Sequence, residues 1–512
     1  MPALRGAASP RLESPPNDEA FVTPRRAWIG VAIIVVLSVV RVAATHRVFA
    51  QTMDEQVHLI AGYDILKHHS WTTDRQHPPL ARVFFALPFV NAPEPVGVER
   101  GVRGNELLFN GRYTSNLARM RLGNLLFLAL GIIFVARWAM HLLSPEAGLL
   151  SAALFAMLPP VLAHGGLATT DMAVAAIMPF ALDEATRLAE LPSWRRAAMT
   201  GLALAAGVLS KYSFVVFFPA SVFVLVVLWI IRRRKTSPIR PIFIIWAIAA
   251  LIIAAALIWA GFGFGVDPMI RGLAELRTHN ATGHRNFLFG QMSWDGWWYY
   301  FPVALFFKTP IPFLLLALTG CALLARRCPE VPLTAAAILG VSMTSDINIG
   351  IRHLLPIYAP LAIAAAAAIL ALPRLRIVSA ALVAWLFVSG VAAHPDYLPW
   401  FNAFAPHPEM VLNDSNLDWG QDVLRLARYT QRERLPEISL LVFTSADLDR
   451  LGFPPHTPVR KLDTIHGWFA TDEMEIAIDE SLSPRMKSWL DGLIAGKPYT
   501  RIGKSIRLYH LD

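Results

Sequence analysis

Hydrophobic runs long enough to cross a hydrocarbon core of about 30 Å recur from Trp28 to Ala392 and then stop, leaving Ala393 to Asp512 without one. A chain so patterned folds in lipid, where every backbone polar group must be satisfied internally, so helices are the available solution. Its 512 residues are 55% hydrophobic, with a mean hydropathy of +0.46, which an ordinary water-exposed globule does not carry. The expectation is a polytopic α-helical membrane protein followed by one small α/β domain. The net charge of +9 is spread in short clusters between the apolar spans rather than over one soluble face, which argues against nucleic acid as a partner.

Those clusters orient the chain, because short cytoplasmic loops retain Lys and Arg. They lie at Arg25-Arg26, Arg137, Arg195-Arg196, Arg232 to Lys235, Arg326-Arg327, and Arg374 with Arg376. Placing each inside yields about eleven spans, near 27–45, 118–140, 146–163, 168–189, 198–210, 212–231, 241–264, 307–325, 331–345, 354–372 and 377–394. The N-terminus is then cytoplasmic and the C-terminal domain external. The balance in residues 393–512, 17 acidic against 13 basic, agrees with an outside location. Residues 1–26, rich in Pro, Arg and Ser, read as a flexible cytoplasmic tail. After so long a polar tail, the first span reads as a signal anchor rather than a cleaved signal peptide. Residues 27–394 form the membrane domain, with an external segment at 46–116, and residues 395–512 the soluble domain. Cys321 and Cys328 show neither zinc spacing nor an expected external disulfide. Strand-like runs at Ile438–Phe443 and Ile502–Tyr509, with a helical run near Met486–Ile494, give the soluble domain its α/β character.

Two external segments are long. The second, about Gly265 to Phe306, carries His279, His284 and the aromatic run Trp294, Trp297, Trp298, Tyr299 and Tyr300. Trp and Tyr favour the headgroup layer, so this segment is expected to lie along the membrane surface. The first holds Asp54, Glu55 and His58, then His77-Pro78-Pro79-Leu80-Ala81-Arg82. Spacing of i and i+4 puts Asp54 and His58 on one helical face. Three readings stay open there: a carboxylate base accepting a hydroxyl proton, a divalent metal on Asp54 and His58 with His77, or a solvated helix start. Asp171 opens a span, where a carboxylate serves as a helix cap or faces a watery cavity. Arg121, Lys308 and Arg352 with His353 fall at external helix ends, against the positive-inside bias. They suit either a phosphate group or snorkelling to headgroups.

The ordered set of Asp54-Glu55, His77 to Arg82, Thr169-Thr170-Asp171, Lys211-Tyr212-Ser213, Lys308-Thr309-Pro310 and Gly350 to Pro356 resembles the protein O-mannosyltransferase-like enzymes. These belong to the C-type, polyprenyl-phosphate-sugar-dependent glycosyltransferases, which also include lipid A aminoarabinose transferase. The segment Asn413 to Asp422 looks like a signature of a bacterial branch. The resemblance implies hexosyl or pentosyl transfer from a polyprenyl-phosphate-linked sugar to a hydroxyl on protein, lipid or glycan. It implies inversion, at the external face of a bacterial inner membrane. It makes Asp54 the base, with Glu55 beside it and Asp171 a second acid. Arg82, Arg121, Lys308 and Arg352 become candidates for the donor phosphate, and His58, His77 and His353 further site candidates. With several cations available no cofactor is required, a divalent metal being possible but not favoured. Arg82 stands where relatives often carry Lys, which keeps the charge and changes the geometry. The competing class is a transporter or flippase of a polyprenyl-linked lipid, which would bind the headgroup without reaction. A third is a non-catalytic protein whose function rests on residues 393–512.

Overall fold

The computed structural model describes residues 22–233, 241–459, 464–478 and 484–511. Residues 1–21 of the expected tail, and Arg234-Lys235 of one basic cluster, lie outside the described residues.

The first helix, Pro24–Ala43, opens with Thr23 capping the Arg26 backbone N–H and with Pro24 at its first position, where a missing N–H is harmless. It packs on Tyr113–Leu142, whose 30 residues extend roughly 45 Å at about 1.5 Å per residue. At the centre stands Asp171–Glu190, with every residue from Asp171 to Glu184 buried. A helix buried all round is flanked on all sides by others, here including Tyr113–Leu142 and Trp194–Ser210.

Among the described residues, five helices are long and apolar enough to cross a membrane alone: Pro24–Ala43, Tyr113–Leu142, Ile242–Gly261, Ile351–Ala371 and Pro373–Ala392. Two bent pairs raise this to seven, short of the expected eleven. Proline bends the two pairs, and charge or shortness keeps the other expected spans out of this count. Leu158 and Thr309 each precede a proline, which disfavours the helical region, and both are extended. The expected span 146–163 is therefore Pro145–Phe155 and Pro159–Gly165 at 72°, and the span 307–325 is Tyr300–Lys308 and Ile311–Arg327 at 119°. The expected 168–189 forms as Asp171–Glu190 but carries Asp171, Asp183 and Glu184. Phe214–Leu228 and Glu330–Ser342 are apolar but shorter.

The segment 46–116, expected to be external, is itself helical, at Glu55–His68, Pro79–Ala86 and Arg100–Phe109. In the His-Pro-Pro motif, Pro79 starts a helix, and Arg82 sits on its first turns. Gly62 lies so close to the Arg82 carbonyl that a Cβ there would collide with it. The segment 265–306 contains the helix Asp267–Thr282 and a hairpin of β1 (Asn286–Leu288) and β2 (Gln291–Ser293). Trp294 and Trp298 are exposed.

Beyond Ala392, β3 (Ile438–Leu441), β4 (His456–Pro458), β5 (Gly467–Asp472), β6 (Tyr499–Ile502) and β7 (Ile506–Leu511) form a sheet of order β4-β3-β5-β7-β6. β3 runs parallel to β4 and β5, while β7 is antiparallel to β5 and β6. Helices Val423–Arg432 and Pro484–Ile494 accompany it. The stretch before Val423 is sewn onto the external segment, since Ala50 and Met53 donate backbone N–H bonds to the Gln421 and Trp419 carbonyls at 2.9 and 3.2 Å.

Candidate functional site

Neighbouring carboxylates at a helix start point in different directions, and that separates Asp54 from Glu55. Glu55 is wholly buried and accepts from Arg121 Nε at 2.8 Å and Nη2 at 2.6 Å. The backbone N–H groups of Thr52 and Ala168, each at 2.8 Å, complete its shell. Burial opposes its ionisation, but the Arg121 charge and these donors outweigh it and hold the carboxyl below its ordinary value. Glu55 therefore fastens the start of Glu55–His68 to Tyr113–Leu142 and to the turn before Asp171–Glu190, and has no oxygen to spare.

Asp54 instead faces a cavity of about 220 Å³, with its side chain 36% exposed. Arg352 Nη1 donates to its Oδ2 at 3.0 Å. Burial again opposes ionisation, and the Arg352 charge overrides it, so the carboxyl lies below its usual range. Arg352 also stands 3.9 Å from Asp171 Oδ2 and lies over the Trp419 ring at 4.2 Å. Its Nε has no hydrogen-bond partner, so the guanidinium keeps donor capacity. Asp171 is buried and paired with Lys211, from the turn between Trp194–Ser210 and Phe214–Arg233. His353 shares the Arg352 turn, Ile351–Ile357, within the field of Lys211 and Asp171. Asp414, His284, Arg285 and Glu475 also line it.

The remaining expected cations are engaged elsewhere. Arg121 spends its donors on Glu55 and the His46 and Ala50 carbonyls. Arg82 binds the carbonyls of Pro78 at 3.1 Å, Asp74 at 2.7 Å and His77, and stands 3.3 Å from Asp74 Oδ2. Lys308 donates to the carbonyls of Leu398, Trp400 and Asn416 at 2.8, 2.5 and 2.7 Å. Of the four cations expected at a donor phosphate, Arg352 is the one lining the cavity. A chain reveals which residues are cationic, whereas these three bind backbone carbonyls, for which side-chain patterns give no signal.

His58 and Asp54 share a helix, but their side chains part. His58 meets the His77 ring edge-on at 4.7 Å and stands 3.9 Å from Asp74 Oδ2. The residues the sequence reading did not single out for the site are Asp74, Lys211, Asp414 and Trp419. Lys211 lay in a quoted motif, Asp414 and Trp419 in the bacterial signature, and Asp74 stands three residues before His77. A second charged layer buries Asp183 and Glu184 twelve or more residues along the central helix, paired with Arg137, His141, Arg187 and Arg196. A larger groove of about 460 Å³ between Ala43 to Arg47 and Ser115 to Leu122 contains no carboxylate and stands apart from this site.

Residues 111–259 match the family described as dolichyl-phosphate-mannose-protein mannosyltransferase. No curated protein matches the chain. Among solved structures, ArnT from Cupriavidus metallidurans bound to undecaprenyl phosphate aligns over 94% of this chain and 97% of its own, at 12% identity and TM-score 0.51. Its apo form aligns over 95% and 98%, at 11% identity and TM-score 0.52. The Archaeoglobus fulgidus oligosaccharyltransferase aligns over 84% and 64%, at 12% identity and TM-score 0.45. The chain is an integral membrane protein with the C-type glycosyltransferase fold.

Proposed function

We propose that this membrane chain, with its C-type glycosyltransferase fold and mannosyltransferase-family segment, transfers a hexosyl or pentosyl group from a polyprenyl-phosphate-linked donor to a hydroxyl acceptor. The reaction takes place at the external face of a bacterial inner membrane, with the N-terminus cytoplasmic and the C-terminal domain outside. The orientation is supported by Arg137 and Arg196, basic-cluster residues that meet the end of the central helix opposite Asp171.

The observation that carries the reading is the Asp54 and Arg352 pair opening into the cavity. Paired with Arg352, Asp54 is held below its usual range and is a weaker base. A donor phosphate entering the cavity competes for the guanidinium, whose planar fork matches phosphate oxygens. As Arg352 turns to the phosphate, the cation holding Asp54 acidic is shared and the carboxylate becomes more basic. The acceptor oxygen then attacks the anomeric carbon, its proton passes to Asp54 Oδ2, and the carbon–phosphate-oxygen bond breaks with inversion. The departing polyprenyl phosphate carries the electron pair, and Arg352 stabilises the charge. Asp171, itself paired with Lys211, attracts Arg352 from 3.9 Å, and the Trp419 ring lies against its guanidinium at 4.2 Å.

The test is transfer from radiolabelled polyprenyl-phosphate sugars by the purified chain in lipid. Asp54→Asn is expected to bind donor lipid yet lose about 10² to 10⁴ in turnover. An intact wild type that binds and moves the donor lipid without transferring sugar would overturn the reading in favour of transport.

A further inference from the structure

His58, Asp74 and His77 form the one group of three metal-capable side chains found among the described residues, with a ligand atom from each within 4.8 Å of the others. We propose that this group is a divalent transition-metal site of zinc type, which clips the helix bearing Asp54 to the His-Pro-Pro turn. Asp54 itself is not a ligand, because its carboxylate is committed to Arg352.

The donor set is two imidazoles and one carboxylate, a combination suited to zinc with a fourth position left open. Two ligands bound at about 2.0 to 2.1 Å in a tetrahedron lie about 3.3 Å apart. Here His77 Nδ1 and His58 Nδ1 lie 3.0 and 3.9 Å from Asp74 Oδ2, on either side of that spacing. His58 is 2% exposed and its Nδ1 has no hydrogen-bond partner, although a buried imidazole nitrogen normally finds one. A metal ion would supply it. His77, with its side chain 25% exposed, is the most open of the three.

The surroundings hold the donors in place. Asp74 Oδ1 accepts the Gln76 backbone N–H at 3.1 Å, which fixes the carboxylate plane. Prolines 78 and 79 stiffen the backbone following His77. Arg82 approaches Asp74 Oδ2 at 3.3 Å, a contact that a metal would displace. It retains the carbonyls of Asp74, His77 and Pro78, so its position does not depend on that oxygen.

The experiment uses the full chain in lipid nanodiscs, stripped with chelator and titrated with Co²⁺. The expected result is saturable ligand-field absorption from one ion per chain, displaced by Zn²⁺ and accompanied by a higher melting midpoint. His77→Gln and His58→Ala should each weaken cobalt binding by more than about a hundredfold, beyond the roughly 10- to 100-fold that loss of an outer-shell partner costs. His407→Ala, on the surface with its side chain 77% exposed, should leave binding unchanged. Absence of saturable absorption in the wild type overturns the site. So does absorption that survives either ligand substitution. The wild-type titration stands even if the buried His58 variant does not fold, and none of these readouts depends on sugar transfer.

Discussion

Replacing Glu55 by Gln should unfold the protein, whereas replacing its neighbour Asp54 by Asn should only silence it. Five donors converge on the Glu55 carboxylate: two from Arg121, the backbone N–H groups of Thr52 and Ala168, and the Thr52 hydroxyl at 3.2 Å. A Gln amide offers one oxygen and turns its NH₂ towards a donor. Arg121, 1% exposed, is left as an unneutralised buried charge. Breaking a buried pair in this way typically costs about 3 to 5 kcal/mol, or roughly a thousandfold in the folding equilibrium at 4 kcal/mol. Asp54 is partly exposed, and the amide oxygen of Asn can still accept from Arg352, so Asp54→Asn should stay within about 1 kcal/mol. Thermal unfolding half-lives in one lipid environment separate the two. The double variant Glu55→Gln/Arg121→Met should recover part of the loss, since it removes the stranded charge. The pH dependence has a definite sign. The folded carboxyl lies below its ordinary value of 4.5, so its contribution is complete above that pH and is lost as pH falls through the folded value. The Gln variant should lack this acid-sensitive component. The reasoning fails if Asp54→Asn destabilises more than Glu55→Gln, or if removing Arg121 brings no recovery.

Three further outcomes are expected. Arg352→Lys should lower transfer at least about tenfold and raise the donor KM, because an ammonium cannot fork between carboxylate and phosphate; unchanged donor kinetics would refute it. Lys308→Met removes three hydrogen bonds to backbone carbonyls, each worth about 0.5 to 1.5 kcal/mol, and should speed hydrogen exchange across residues 398–416; exchange matching the wild type would dismiss the anchoring role. Gly62→Ala places a methyl against the Arg82 carbonyl and should destabilise by about 1 to 3 kcal/mol, measured as a lower melting midpoint.

The apolar runs made most membrane helices legible, because burial in lipid needs length and composition and both are written locally. The runs at Ile438–Phe443 and Ile502–Tyr509 likewise foreshadowed β3 and β7. The breaks at Leu158-Pro159 and Thr309-Pro310 were visible as prolines, but the angles of 72° and 119° depend on what each half packs against. Asp54 and Glu55 are indistinguishable by spacing. Their partners, Arg352 and Arg121, lie 298 and 66 residues away, and only the fold assigns one to each. The cations were legible as charges but not as roles, since Arg82 and Lys308 bind backbone carbonyls.

Lys308 ends a membrane helix, yet one of its partners is the carbonyl of Asn416. The Asn416 side chain in turn holds the Tyr300 hydroxyl at 2.9 Å and the Ile351 backbone N–H at 3.0 Å, and three residues later Trp419 supports Arg352. The natural seam for grafting is therefore not where the last apolar run ends. A chimera with its crossover near residue 395 would join one parent's Arg352 to another parent's Trp419, whereas a crossover after Asp422 would inherit both from a single ancestor.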